Sequence, residues 1–125
     1  MREIHNNHNV CVLAAQLVLV VYRRQKLLNK EAVEVFKEAF TTVAKNYDIQ
    51  LENVNGEPDH LHVLFSFNVT SDLAKFVSSL KSCSSRKMKA FVPNFRWSSG
   101  YWMGTYGGAS EDLINDYVDQ QGGVD

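Results

Sequence analysis

The chain has 125 residues, 45% of them apolar and 22% charged, which is room for one globular domain with its own core and for no second one. Its longest apolar run, Val10 to Val21, contains Gln16 and falls short of the roughly 17 to 25 residues that cross a bilayer, and Met1-Arg2-Glu3-Ile4-His5 lacks the pattern of a secretory leader, so a cytoplasmic protein without membrane contact is expected. The formal net charge of -1 hides a segregation: Lys81, Arg86, Lys87, Lys89 and Arg96 fall in a stretch without an acid, while four of the fourteen acids lie between Glu111 and Asp119, leaving a basic face for a polyanion.

Residues 10 to 22 read as a first central strand, continuously apolar as when both faces are covered. Val33, Phe36, Phe40 and Val43 recur at helical spacing and predict an amphipathic helix over about 30 to 46. Ile49 to Glu57 and His60 to Val69 form two short β-type runs around Pro58-Asp59, the pattern of antiparallel strands joined by a turn. Ser71-Asp72 starts a second helix, with Leu73, Phe76, Leu80 and Cys83 as its buried stripe to about Lys89. A strand near Gly100 to Tyr106, a Gly107-Gly108 hinge and a last helix capped by Ser110 complete the chain. The order β-α-β-β-α-β plus one helix predicts an α+β, ferredoxin-like antiparallel sheet, with a core over 9 to 107 and the added C-terminal helix over 110 to 121. Cys11 and Cys83 have no CxxC spacing and are expected as reduced, buried thiols.

Four groups of residues suggest chemistry. His60 and His62 start a strand, so alternation sends both imidazoles from one face, where they could share a cation with help from other ligands; a pair of ordinary strand histidines has the same spacing. Tyr117 and Gln121 lie one turn apart on the last helix, beside Leu113, Ile114 and Val118, a pattern that also suits plain packing on a sheet. Lys75, Ser78, Ser82, Ser85 and Lys89, with Arg86 beside them, give the second helix a donor-rich face suited to a nucleic-acid backbone or to water, and Arg23-Arg24 add a second basic spot. Trp97, Tyr101, Trp102 and Tyr106 offer rings for base stacking or for the core.

Together, Leu17-Val18-Leu19-Val20-Val21-Tyr22-Arg23-Arg24, Pro58-Asp59-His60-Leu61-His62-Val63-Leu64, Lys81-Ser82-Cys83-Ser84-Ser85-Arg86, Gly107-Gly108-Ala109 and Asp116-Tyr117-Val118-Asp119-Gln120-Gln121 resemble the HUH single-tyrosine transposases of small hairpin-ended insertion sequences and their REP-associated relatives. The resemblance spans nearly the whole chain. It implies a metal-dependent enzyme that cuts and rejoins single-stranded DNA, with His60, His62 and Gln121 holding Mg²⁺ or Mn²⁺ and Tyr117 as the nucleophile that forms a 5′-phosphotyrosine. It also implies hairpin recognition, for which Arg23, Arg24, Lys81, Ser82, Ser85, Arg86 and Lys89 are the candidate DNA contacts, and a homodimer in which one subunit's tyrosine helix can complete the other's histidine site. Ala14-Ala15-Gln16 depart from the aromatic residues and histidine that relatives carry in the first strand. That departure keeps a second reading open: an inactivated or domesticated relative that binds nucleic acid without cutting it.

Overall fold

The computed structural model describes residues 4–6, 9–11, 13–105 and 111–121, and side chains within 13–105 and 114–121. A short hairpin, β1 (Ile4–Asn6) and β2 (Asn9–Cys11), stands apart from the main sheet. The main sheet contains β3 (Ala14–Val20), β4 (Ile49–Glu57), β5 (His60–Phe67) and β6 (Trp102–Thr105) in the antiparallel order β4-β5-β3-β6. With α1 (Lys30–Ala44) between β3 and β4, and α2 (Leu73–Met88) between β5 and β6, this is the expected ferredoxin-like topology. A third helix, α3 (Glu111–Gln120), follows.

The expected first strand over 10 to 22 is corrected to two strands and a turn. Ala14 pairs with Ser66 near the end of β5, the Leu13 carbonyl takes a last bond from Phe67 N–H at 3.1 Å, and 9–11 pair with β1. At the other end Val20 pairs with His60, the first residue of β5, and Tyr22–Arg24 then turn as a 3-10 helix with Arg23 and Arg24 at φ 54° and 56°. The strand expected over 100 to 106 is trimmed to Trp102–Thr105, while Tyr106, the Gly107-Gly108 hinge and the Ser110 cap lie outside the described residues.

Helix starts follow local chemistry. Asn29 caps α1 by accepting from the Ala32 N–H at 2.9 Å, and Asp72 caps α2 by accepting from Lys75 N–H at 3.1 Å. α1 and α2 cover one face of the sheet, burying Phe36, Phe40 and Phe76 against Leu17, Leu19, Leu61, Val63 and Phe65. The Phe40 and Phe76 rings meet edge to face at 5.1 Å, and buried Ser84 accepts from the Trp97 indole N–H at 3.0 Å. Cys83, expected to be buried, is half-exposed and free; the Cys11 side chain lies outside the described residues. β3 is covered on its second face as well, because Val18 and Val20 pack under Ile114 and Val118 of α3.

Candidate active site

Alternation along β5 turns Leu61, Val63 and Phe65 into the α1/α2 core and leaves His60, His62 and Leu64 on the other face. There the ring nitrogens His60 Nε2 and His62 Nε2 converge to 3.0 Å. The pair sits at the start of the strand because Pro58-Asp59 form a two-residue turn, with Glu57 opposite His60 and Asn55 opposite His62. His62 also borders a groove of about 500 Å³ lined by Gln16, Asn53, Asn55, Glu57 and Leu64. Gln16, the departure noted in the first strand, is therefore part of the rim of this site.

Asp59 completes the arrangement. It is only 7% exposed, and each carboxylate oxygen has its own partner: Oδ1 accepts from His60 Nδ1 at 2.7 Å and Oδ2 accepts from Arg24 Nε at 2.8 Å. Burial pushes the Asp59 pKa upward, but the hydrogen bonds from His60 and Arg24, with their charges, outweigh it and hold the carboxyl below its usual range. With the His60 proton on Nδ1, its Nε2 keeps a lone pair aimed at His62. Two ligand atoms about 2.1 Å from one cation and at right angles to each other stand about 3.0 Å apart, so this spacing fits a shared divalent ion. Among the described residues no group of three or more His, Cys, Asp or Glu side chains is arranged to hold a metal ion, and two imidazoles would need an amide, water or substrate oxygen to complete such a site.

The last helix docks on the same face. Ile114 and Val118 bury against Val18 and Val20, and those valines are the cross-strand partners of His62 and His60. Tyr117 is half-buried against this cluster, and its hydroxyl lies beside Gly100: a Cβ at that glycine would stand 3.8 Å from it. Gly100 has φ 79°, a conformation that a side chain resists. Gln121 follows the helix end, its N–H bonded to the Val118 carbonyl at 3.1 Å. Asp119 Oδ1 accepts from Arg24 Nη1 at 3.3 Å, so one guanidinium touches both the helix and the carboxylate behind His60.

The candidate DNA contacts separate into groups. Lys81 extends its ammonium to the carbonyls of Ser98 and Gly100, at 2.7 and 2.8 Å, bracing the segment beside the Tyr117 hydroxyl. Arg86 donates to Ser82 at 3.1 Å on the groove between α1 and α2, while Ser85 is half-buried and Lys89 exposed. Because α2 packs on the Leu61/Val63/Phe65 face, its outward side lies across the sheet from the histidines. Arg23 is exposed and donates to the Tyr22 hydroxyl at 3.2 Å, and Arg96 stacks over the Tyr22 ring at 4.0 Å. Sequence reading missed this aromatic-cation cluster and the role of Asp59; the tyrosine beside Arg23-Arg24 and the carboxylate before His60 were its available signals. Trp97 is buried against Phe95 and Phe36, Trp102 packs on the α3 cluster, and only Tyr101 of the described candidate stacking residues is exposed.

Known proteins place this geometry. The chain is 26% identical over 97 residues to the ISDra2 transposase TnpA of Deinococcus radiodurans, covering 75% of this chain and 69% of that protein. The crystal structure of a candidate transposase from the same organism superposes with TM-score 0.81 at 22% identity, covering 94% of this chain and 97% of the other. A REP-associated tyrosine transposase bound to a REP hairpin superposes with TM-score 0.57 at 13% identity, over 93% of this chain and 68% of that one. Residues 9–121 match the profile of the family described as transposase, IS200 like, and the chain belongs to that family.

Proposed function

We propose that this transposase cuts and rejoins single-stranded DNA at hairpin-marked element ends, with Tyr117 as nucleophile and His60, His62 and Gln121 as ligands of Mg²⁺ or Mn²⁺. The observation that carries this reading is the docking of the tyrosine helix on the valines that flank the histidine pair, with the two Nε2 atoms 3.0 Å apart.

A bound divalent cation would neutralise the scissile phosphate and orient its ester oxygens. The Tyr117 oxygen forms a bond to phosphorus as the bond to the 3′ oxygen breaks; the phenolic proton leaves to solvent and the departing oxygen gains one. One phosphoester replaces another, so the linkage stays available for rejoining without a nucleotide cofactor. Asp59 stands behind His60, its carboxylate 2.7 Å from Nδ1. The Ile114/Val118 cluster keeps the tyrosine helix against the sheet. Arg23, Arg86 and Lys89 are exposed cations suited to the hairpin backbone, and Tyr22 with Arg96 extends the Arg23 spot. A homodimer that exchanges the tyrosine helix belongs to the same reading.

The test is incubation with Mn²⁺ and end-labelled single-stranded hairpin DNA from the element flanks, followed by a denaturing gel. The expected result is a protein-linked label in the native chain, absent in Tyr117→Phe, while both bind the hairpin equally. Equal labelling of the two proteins rejects Tyr117. Hairpin binding without cleavage by the native chain favours the non-catalytic reading, which Gln16 and its neighbours in β3 keep open.

A further inference from the structure

An unbroken line of polar contacts joins the tyrosine helix to the histidine pair. Asp119 of α3 accepts from Arg24 Nη1 at 3.3 Å, Arg24 Nε donates to Asp59 Oδ2 at 2.8 Å, Asp59 Oδ1 accepts from His60 Nδ1 at 2.7 Å, and His60 Nε2 meets His62 Nε2 at 3.0 Å. The central carboxylate is buried, and a buried charge persists only when it is paired. Because its two oxygens have different partners, the carboxylate plane cannot turn without losing one of them.

The backbone at Arg24 adds an independent observation. Arg23 and Arg24 both adopt left-handed dihedrals, φ 54° and 56°, a conformation that is unfavourable for an L-residue and that glycine adopts freely. The turn needs no side chain there: it closes by backbone bonds from Arg24 N–H to Val21 and from Gln25 N–H to Tyr22. The same segment is tied to the Pro58-Asp59 turn, since Val21 N–H donates to the Asp59 carbonyl and Leu28 N–H to the Pro58 carbonyl. Its side chain is where Arg24 acts, between one carboxylate behind His60 and another on α3.

We propose that Asp59 and Arg24 are positioning residues: Asp59 sets the tautomer and ring orientation of His60 for divalent-cation binding, and Arg24 locks Asp59 while latching α3 through Asp119. This gives Arg24, one of the candidate DNA contacts, a place between two carboxylates at the edge of the site. It rests on the metal-dependent reading above for its cation, though not for the tautomer. The Asp119 contact is long and its carboxylate 72% exposed, so the α3 leg is the weaker one.

The test uses the metal-free full chain. Histidine-labelled protein at about pH 8, where free imidazole is neutral, is examined by two-bond ¹⁵N–¹H NMR, and Mn²⁺ is then titrated by calorimetry. Native protein should show His60 protonated on Nδ1. Asp59→Ala should give a mixture of tautomers and weaken Mn²⁺ binding by about ten- to a hundredfold. Asp59→Asn, which retains an acceptor for His60 but sets an amide N–H₂ against Arg24, should keep the tautomer and weaken Mn²⁺ binding less. Arg24→Ala and Asp119→Ala should each lower hydrogen-exchange protection of α3, with Arg24→Ala alone also weakening Mn²⁺ binding. An unchanged His60 tautomer in folded Asp59→Ala overturns the Asp59 role, as does a mixed tautomer in the native protein; unchanged α3 protection in both other variants overturns the latch. Native protein that binds no Mn²⁺ defeats the metal reading instead, and the tautomer comparison still decides the role of Asp59.

Discussion

The two faces of the sheet are built for different tasks. On one, α1 and α2 bury an aromatic cluster of Phe36, Phe40, Phe65 and Phe76 continuous with Leu17, Leu19, Leu61 and Val63. On the other, Val18 and Val20 lie under Ile114 and Val118 of α3, with Trp102 and Tyr117 packed against them and Asp119 in contact with Arg24. At about 1.5–3 kcal/mol for each fully buried aliphatic side chain, Ile114 and Val118 hold α3 with a few kcal/mol. The first face fixes the fold. The second carries the histidine pair and its buried carboxylate beside the docked helix.

Exchange of the proposed metal-binding histidines for alanine tests this division most severely. His60→Ala or His62→Ala should lower DNA cleavage by on the order of 10³-fold or more; the melting temperature should stay near native in His62→Ala, whose imidazole lies outside the aromatic core, and fall modestly in His60→Ala, which takes a partner from the buried Asp59 carboxylate. Collapse of the fold in both variants would break the comparison.

Packing changes should separate the faces next. Phe40→Ala should destabilise the whole chain by about 3–5 kcal/mol in a urea melt, since its ring contacts Phe36, Phe65 and Phe76. Ile114→Ala should leave the core transition close to native and remove hydrogen-exchange protection from α3 first. A single cooperative loss in both would mean that the two faces are one unit.

Acid sharpens the polar face. Because Asp59 has a lowered folded-state pKa, its stabilising contribution is complete above the unfolded value of about 4 and is lost as pH falls through the folded value. In metal-free protein, Asp59→Asn should therefore flatten the acid limb of a stability-versus-pH curve. The smallest effect belongs to the outward side of α2: Lys89→Ala should weaken hairpin binding a few-fold and reduce the salt slope by about 1, with cleavage of saturated DNA unchanged.

The same division explains what the sequence disclosed. Periodicity found α1, α2, β4, β5 and the helix bearing Tyr117, because each has one apolar side, and the HxH spacing brought the imidazoles together as alternation requires. The break between β2 and β3 was invisible because the residues around it are as apolar as the strands. Arg24 and Asp59 are 35 positions apart, and local sequence carries no sign that a left-handed turn aims one at the other. The paired basic residues suggested DNA contact, but Arg24 lies against two carboxylates.

The proposed chemistry stands on Tyr117 as the group that attacks DNA. The most direct measurement is peptide mass spectrometry of native protein incubated with Mn²⁺ and single-stranded hairpin DNA, then trimmed with nuclease. A nucleotide joined through phosphate to the peptide that contains Tyr117, and missing when His60→Ala is treated alike, is the predicted result. Cleaved DNA with no adduct, or an adduct mapped to another residue such as Tyr101, would contradict the account.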